Sequence, residues 1–209
     1  MPGRNPREAV EAFLAPLQDT LACVVKAKIT LSEGGYNTAG RVHGLTLNRD
    51  EAVKLKGVQQ LLLRVQMNYE IIPVEEPGRE PWRVTTHAYN YEVQNSSGEG
   101  VVSYHWHPKG RVKGPHIHLG HTQLAKDVVL HNKLHIPTAR LSLEGVIRHC
   151  IEELQVESLS DDWDHVLATR QADFEAFRKW GQSPPPAPAV APKPDTKTRP
   201  RRPGKRRNL

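Results

Sequence analysis

The sequence predicts an α+β fold: an antiparallel β-meander packed with an N-terminal helix and two C-terminal helices, followed by a disordered basic tail. Two observations predict it. Gln60–Val74 alternates apolar and polar residues over six pairs, which is typical of a strand with one buried face. Residues 143–154 place apolar side chains at helical spacing behind Ser142, a suitable N-cap. We therefore expect one domain over residues 1–181 and a tail over residues 182–209.

The N-terminal third combines a helix with the first strands. Apolar residues at helical spacing predict a helix over Pro6–Leu21, which Pro16 should end or kink. Alternation and β-branched residues predict a strand over Leu21–Leu31, and a second strand is predicted over Arg41–Leu47. Asp50–Gly57 is expected to form one helical turn or a loop.

The middle of the chain continues the meander. Strands are predicted over Pro81–Gln94, Val101–His107 and Pro115–Leu119. The Asn- and Gly-rich stretch Asn95–Gly100 predicts a hairpin turn between the first two of them. After the helix that Ser142 caps, Ser160 is expected to cap the last helix.

Charge is divided unevenly along the chain. Residues 183–209 hold eight Lys and Arg against one Asp, while the rest of the chain holds 21 basic and 22 acidic residues. A Pro-rich, basic segment of this kind is expected to be disordered and to contact nucleic acid or a partner protein. The two cysteines, Cys23 and Cys150, lie far apart, and no apolar run approaches the roughly 18 residues of a membrane span. We expect a cytoplasmic protein that does not associate with membranes.

The segment Val101–His121 carries the functional signal. It holds five of the eleven histidines and three Lys or Arg, but no Asp or Glu. Residues two apart on a strand share a face, so each His-x-His pair would place two imidazoles side by side. A hairpin would then bring both pairs onto one patch. The candidate catalytic residues, which would also be the ligands of any metal, are His105, His107, His116 and His118.

Three kinds of chemistry suit these residues. Four imidazoles can hold a metal ion, two can perform acid/base chemistry on RNA, and the cations can bind phosphate without any reaction. We rank metal binding third, because no Asp or Glu stands nearby to orient an imidazole ring or act as a base. No cofactor is therefore expected. The candidate substrate- or phosphate-binding residues are Lys109, Arg111, Lys113, Arg140 and Tyr104.

A short motif resembles the TumE-type toxin family of bacterial toxin–antitoxin systems. The box Lys113–Gly120 reads KGPHIHLG, and the later helix opens Ser142-Leu143-Glu144, so the resemblance covers residues 89–154 approximately. The family usually has Asp before the first histidine of the box, where this chain has Pro115. The resemblance implies a cytoplasmic toxin-like module that is paired with an antitoxin and acts on RNA. By position it nominates Lys113, His116 and His118.

The sequence thus leads to two hypotheses of function. The first is a toxin-like module that cleaves RNA by histidine-based, metal-independent acid/base chemistry. The second is a non-catalytic nucleic-acid-binding or adaptor protein that uses the basic, His-rich patch and the polybasic tail. The expected partners are nucleic acid, RNA rather than DNA, together with an antitoxin protein and a second copy of the chain in a homodimer.

Overall fold

The computed structural model describes residues 2–124 and 133–178 and confirms the predicted α+β architecture. Its helices are α1 (Pro6–Ala22), α2 (Leu143–Glu152) and α3 (Trp163–Arg178). Its strands are β1 (Pro2–Gly3), β2 (Ile29–Leu31), β3 (Val42–Leu47), β4 (Val53–Lys54), β5 (Leu62–Pro73), β6 (Trp82–Gln94), β7 (Gly100–Trp106), β8 (His116–Leu119) and β9 (Ile136–Pro137). The predicted tail, residues 182–209, lies outside the described residues.

The described strands form one antiparallel sheet. Its order is β2-β3-β5-β6-β7-β8-β9, with β1 paired to β6 and β4 paired to β5. The long strands β5 and β6 lie at its centre, where Val65 pairs with Tyr91 and Met67 with Tyr89. The turn between β6 and β7 follows the prediction, since the Asn95 side-chain oxygen accepts hydrogen bonds from two backbone amides of the turn.

The two faces of the sheet differ in chemistry. The period-two pattern of β5 buries its apolar residues on the face that packs against α1 and α2, where Phe13 of α1 lies 5.5 Å from the Tyr69 ring. We call this the helix face. The opposite face carries Gln66 and Asn90, which are cross-strand partners, and continues onto the histidines of β7 and β8. We call it the histidine face.

The helix predicted over Pro6–Leu21 is confirmed, whereas the strand predicted over Leu21–Leu31 begins too early. Helix α1 spans Pro6–Ala22 and continues through Pro16 instead of ending there. Proline removes one helical hydrogen bond at a cost of about 3 kcal/mol, and burial of Leu17 and Leu21 against the core offsets that cost. Since the last turn of α1 occupies the start of the predicted strand Leu21–Leu31, only Ile29–Leu31 pairs. Asp50–Gly57 is mostly loop, one of the two predicted alternatives, but Val53–Lys54 within it forms the short strand β4.

The C-terminal helices are close to their predicted positions. Ser142 caps α2, because its hydroxyl accepts the backbone N–H of Gly145 at 3.2 Å. The apolar stripe of α2 is buried, including Cys150. Ser160 is not the cap of α3, which begins at Trp163; the Ser160 hydroxyl instead donates to the Asp162 carboxylate. No helix within residues 2–124 and 133–178 has the length and apolar character that crossing a bilayer requires.

Candidate active site

The pairing of β7 with β8 brings the two His-x-His pairs together. His105 is the cross-strand partner of His116, and Ser103 is the partner of His118. Because cross-strand partners project from the same face, the three imidazoles meet on the histidine face. Their ring centroids lie 5.6 Å apart for His105 and His116, and 5.0 Å apart for the other two pairs. The predicted convergence of the histidine pairs is therefore present in the structure.

Two more histidines extend this group. The His107 ring centroid lies 5.1 Å from that of His116 and 5.9 Å from that of His105. Strand β9 pairs with β8 and places His135 beside it, 4.5 Å from His118 and 4.8 Å from His116. We call these five residues the histidine cluster. Sequence reasoning did not nominate His135, because a strand of only two residues has no period to detect.

His116 is the buried centre of the histidine cluster, with 1% of its surface exposed. Its Nδ1 lies 2.8 Å from the Gly114 carbonyl oxygen, so Nδ1 carries the proton and donates it to that oxygen. In the tautomer with its proton on Nδ1, the ring has its lone pair on Nε2. Nε2 is buried and has no hydrogen-bond partner. Leaving such an acceptor unpaired costs about 1–3 kcal/mol, which identifies Nε2 as an atom with an unused binding capacity.

His105 is held in the neutral form. Burial is the largest cause that lowers its pKa, to about 4, and repulsion from His118, His116, His107 and His135 lowers it further. At neutral pH the ring therefore carries a proton on one nitrogen only and a lone pair on the other. In that state His105 can accept a proton or bind a metal, but it cannot serve as a general acid.

Strand β6 adds polar groups beside the cluster. Asn90 is the cross-strand partner of His105, and its Oδ1 is buried without a hydrogen-bond partner. Its amide donates to Gln66 at 3.4 Å. Glu92, also on the histidine face, is the partner of Ser103 and so lies in register with His118 two strands away. The sheet thus supplies a carboxylate that the histidine-rich segment itself lacks.

The turn between β7 and β8 carries the predicted phosphate-binding residues. Lys109, Arg111 and Lys113 are all exposed there, and we call residues 108–114 the basic turn. The turn closes back onto the cluster, because the Gly110 amide donates to the His107 carbonyl at 2.8 Å. A side chain at Gly110 would meet the His107 ring, since its Cβ would lie 2.2 Å from Nδ1.

Two predicted substrate-binding residues lie away from the cluster. Tyr104 points to the helix face and is 5% exposed, so it does not offer a stacking surface beside the histidines. The Arg140 guanidinium lies over the Trp106 ring, 4.1 Å from its centroid, and donates to the Thr86 carbonyl. Trp106 alternates with His105 along β7, so Arg140 also lies on the helix side of the sheet.

Among the described residues, three histidines have the geometry of a metal site. The ligand atoms of His105, His116 and His118 all lie within 4.8 Å of one another. Comparison with family models, curated proteins and solved structures finds no match for this chain. The function is therefore inferred from the site itself.

Proposed function

We propose that the histidine cluster cleaves phosphodiester bonds in nucleic acid, RNA rather than DNA, in a cytoplasmic toxin-like module that an antitoxin protein restrains. The observation that supports this proposal is the convergence of five imidazoles next to the basic turn. Imidazoles transfer protons near neutral pH, and Lys and Arg side chains hold phosphate. Both groups needed for phosphodiester chemistry are thus within one loop and two strands.

RNA is favoured because it contains its own nucleophile. A neutral imidazole accepts the proton of the 2′-hydroxyl, and the resulting oxygen attacks the adjacent phosphorus. The bond from phosphorus to the 5′-oxygen breaks, and a protonated imidazole or water gives that oxygen its proton. The products are a 2′,3′-cyclic phosphate and a free 5′-hydroxyl. Because His105 is neutral at pH 7, the proton donor in this scheme is another ring of the cluster: half-buried His107 or His118, or exposed His135.

In this proposal the cations of the basic turn bind the phosphates of the nucleic-acid backbone. Each phosphate neutralised on single-stranded nucleic acid contributes about −0.7 to the slope of log K against log salt. Three exposed cations, Lys109, Arg111 and Lys113, therefore predict a slope of roughly −2 from this turn alone.

The second candidate function is nucleic-acid binding or an adaptor role without turnover. The burial of His116 favours it, because a ring that is 1% exposed does not reach a substrate directly. The two functions differ in one measurable way, since only the first produces cut RNA.

The test uses the full chain and a labelled single-stranded RNA, with the DNA of the same sequence alongside. We expect the wild-type protein to cut RNA but not DNA. The double variant His116→Ala/His118→Ala should lose cleavage by more than about 100-fold, the contribution of positioned acid/base groups. The triple variant Lys109→Ala/Arg111→Ala/Lys113→Ala should bind more weakly and lose about two units of salt slope.

The matched control is His87→Gln, because His87 lies on β6 and pairs with Glu70 at 2.8 Å outside the histidine cluster. Circular dichroism checks that each variant folds. Wild-type protein that binds RNA without cutting it contradicts the enzyme proposal and leaves the binding function. Protein that neither cuts nor binds RNA contradicts both.

A further inference from the structure

We propose that His105, His116 and His118 form a mononuclear site for a divalent transition metal of the zinc class, with one coordination position open. The site does not depend on the proposed reaction, and the two can fail separately. It changes the role of the buried histidines, which become ligands and need not touch a substrate.

The spacing of the three rings fits tetrahedral coordination. A Zn–N bond of about 2.0–2.1 Å places the ring centroid about 3.2 Å from the metal, so two rings at the tetrahedral angle are separated by about 5.2 Å. The observed separations are 5.0, 5.0 and 5.6 Å. Since bound nitrogens would lie about 3.3 Å apart, the widest nitrogen pair, at up to 4.8 Å, must close by roughly 1.5 Å. We expect rotation of the rings about their side-chain bonds to close this gap.

The hydrogen bonding of His116 supports a ligand role. A metal-bound histidine almost always donates its other ring N–H to a carbonyl or carboxylate, which fixes the tautomer and aims the lone pair. The Gly114 carbonyl provides that acceptor for Nδ1. Nε2, the atom left to bind, is buried and has no hydrogen-bond partner. A metal ion would give this nitrogen the partner that it lacks.

The donor set selects the kind of metal. Imidazole nitrogen suits zinc, copper, iron and nickel, whereas magnesium and calcium prefer oxygen ligands. Three protein ligands with an open fourth position are typical of catalytic zinc sites. His107 and His135 flank the trio, with ring centroids 5.1 and 4.8 Å from that of His116. Both rings therefore lie close enough to the trio to exchange protons with a group bound at the metal.

The test measures metal binding independently of cleavage. The full chain is stripped with a chelator and titrated with Co²⁺ and Zn²⁺, and metal content is measured by mass spectrometry. Residues 183–209 contain no histidine or cysteine, so the tail contributes no competing imidazole or thiolate. We expect one ion per chain and the strong visible absorption of four-coordinate Co²⁺. His116→Gln should weaken binding by more than about 100-fold, beyond the roughly 10–100-fold that loss of a ligand's hydrogen-bond partner costs.

The matched control is His43→Gln, which alters a histidine of equal burial outside the histidine cluster and should leave metal binding unchanged. If His116→Gln does not fold, the half-buried His118→Gln takes its place. Absence of stoichiometric binding, or equal binding by the His116 or His118 variant, overturns the metal site. Metal binding without RNA cleavage contradicts only the proposed function. RNA cleavage by protein that binds no metal contradicts only the metal site.

Discussion

Two of the histidines that the structure describes are fully buried, and their surroundings differ. His43 on β3 and His116 on β8 are each 1% exposed. Each has one ring nitrogen bonded to a nearby backbone carbonyl: His43 to Thr38 at 2.7 Å, and His116 to Gly114 at 2.8 Å. The other nitrogen of each is buried without a hydrogen-bond partner.

The two histidines differ in the side chains that surround them. His43 packs against the Tyr69 ring on the helix face, with centroids 5.6 Å apart. His116 has four imidazoles around it, three of them within 5.1 Å. A buried nitrogen without a partner is therefore not a binding site by itself. What distinguishes His116 is that other lone pairs can share one ion with it.

The largest change in zinc-dependent stability is expected when His116, like His43, has no imidazole partner for a metal ion. The double variant His105→Gln/His118→Gln removes both proposed co-ligands and leaves His116 in place. At a zinc concentration 100 times Kd, wild-type protein should gain about 2.7 kcal/mol of stability, which raises Tm by roughly 5–10 °C. The double variant should show no such rise, as measured by thermal unfolding with and without zinc.

A second double variant controls for the number of imidazoles removed. His87 on β6 pairs with Glu70 on β5, and His165 lies on α3, so His87→Gln/His165→Gln leaves the histidine cluster intact. It should keep the full zinc-dependent rise in Tm. An equal rise in the His105/His118 variant would show that zinc binds elsewhere on the chain.

The sequence predicts the sheet and the meeting of the two histidine pairs, but it does not predict the burial of His116. The period of two in β5 and the turn at Asn95 are local signals, and both predict the sheet correctly. The pairing of His105 with His116 follows because one turn joins their strands. The burial of His116 depends on the whole sheet and on the folding of the basic turn, which no local pattern reports.

Other parts of the site come from distant segments. His135 reaches the cluster through a two-residue strand, and Asn90 and Glu92 reach the histidine face through the register of β6. Tyr104 lies on the opposite side of the sheet from the histidines, because it alternates with His105 along β7. The residue types alone identify the histidines as candidate site residues. The pairing register of the strands determines which other groups lie beside them.

A smaller effect should sharpen the role of the residues around the metal. Asn90 is the cross-strand partner of His105 and has a buried Oδ1 without a partner, so we expect that oxygen to accept a hydrogen bond from the His105 ring when zinc is bound. Asn90→Ala should weaken zinc affinity by about 10-fold, the lower end for loss of an outer hydrogen-bond partner. Competition titration with a chromophoric chelator measures it, and Asn90→Asp should restore much of the affinity. Wild-type affinity in Asn90→Ala would remove this residue from the site.

The smallest effect concerns another buried polar group, a carboxyl on the helix side of the sheet. Glu144 is 3% exposed; its Oε1 accepts the Thr20 hydroxyl at 3.2 Å, while its Oε2 has no partner. Burial is the largest cause that raises the pKa of this carboxyl. The folded state therefore favours the protonated acid, and stability should fall as pH rises from the unfolded pKa, about 4.3, towards the raised folded value.

Glu144→Gln removes that titration, so the variant should gain stability relative to wild type between pH 4 and pH 8. Urea unfolding at both pH values measures the change in the free energy of unfolding. Glu175→Gln, an exposed residue on α3, is the control and should follow the wild-type trend. Parallel pH profiles for wild type and Glu144→Gln would mean that the carboxyl ionises normally. The buried, unpaired Oε2 of Glu144 would then have no measurable effect on stability. His116 would be distinguished by the imidazoles around it and not by its burial or its unpaired atom.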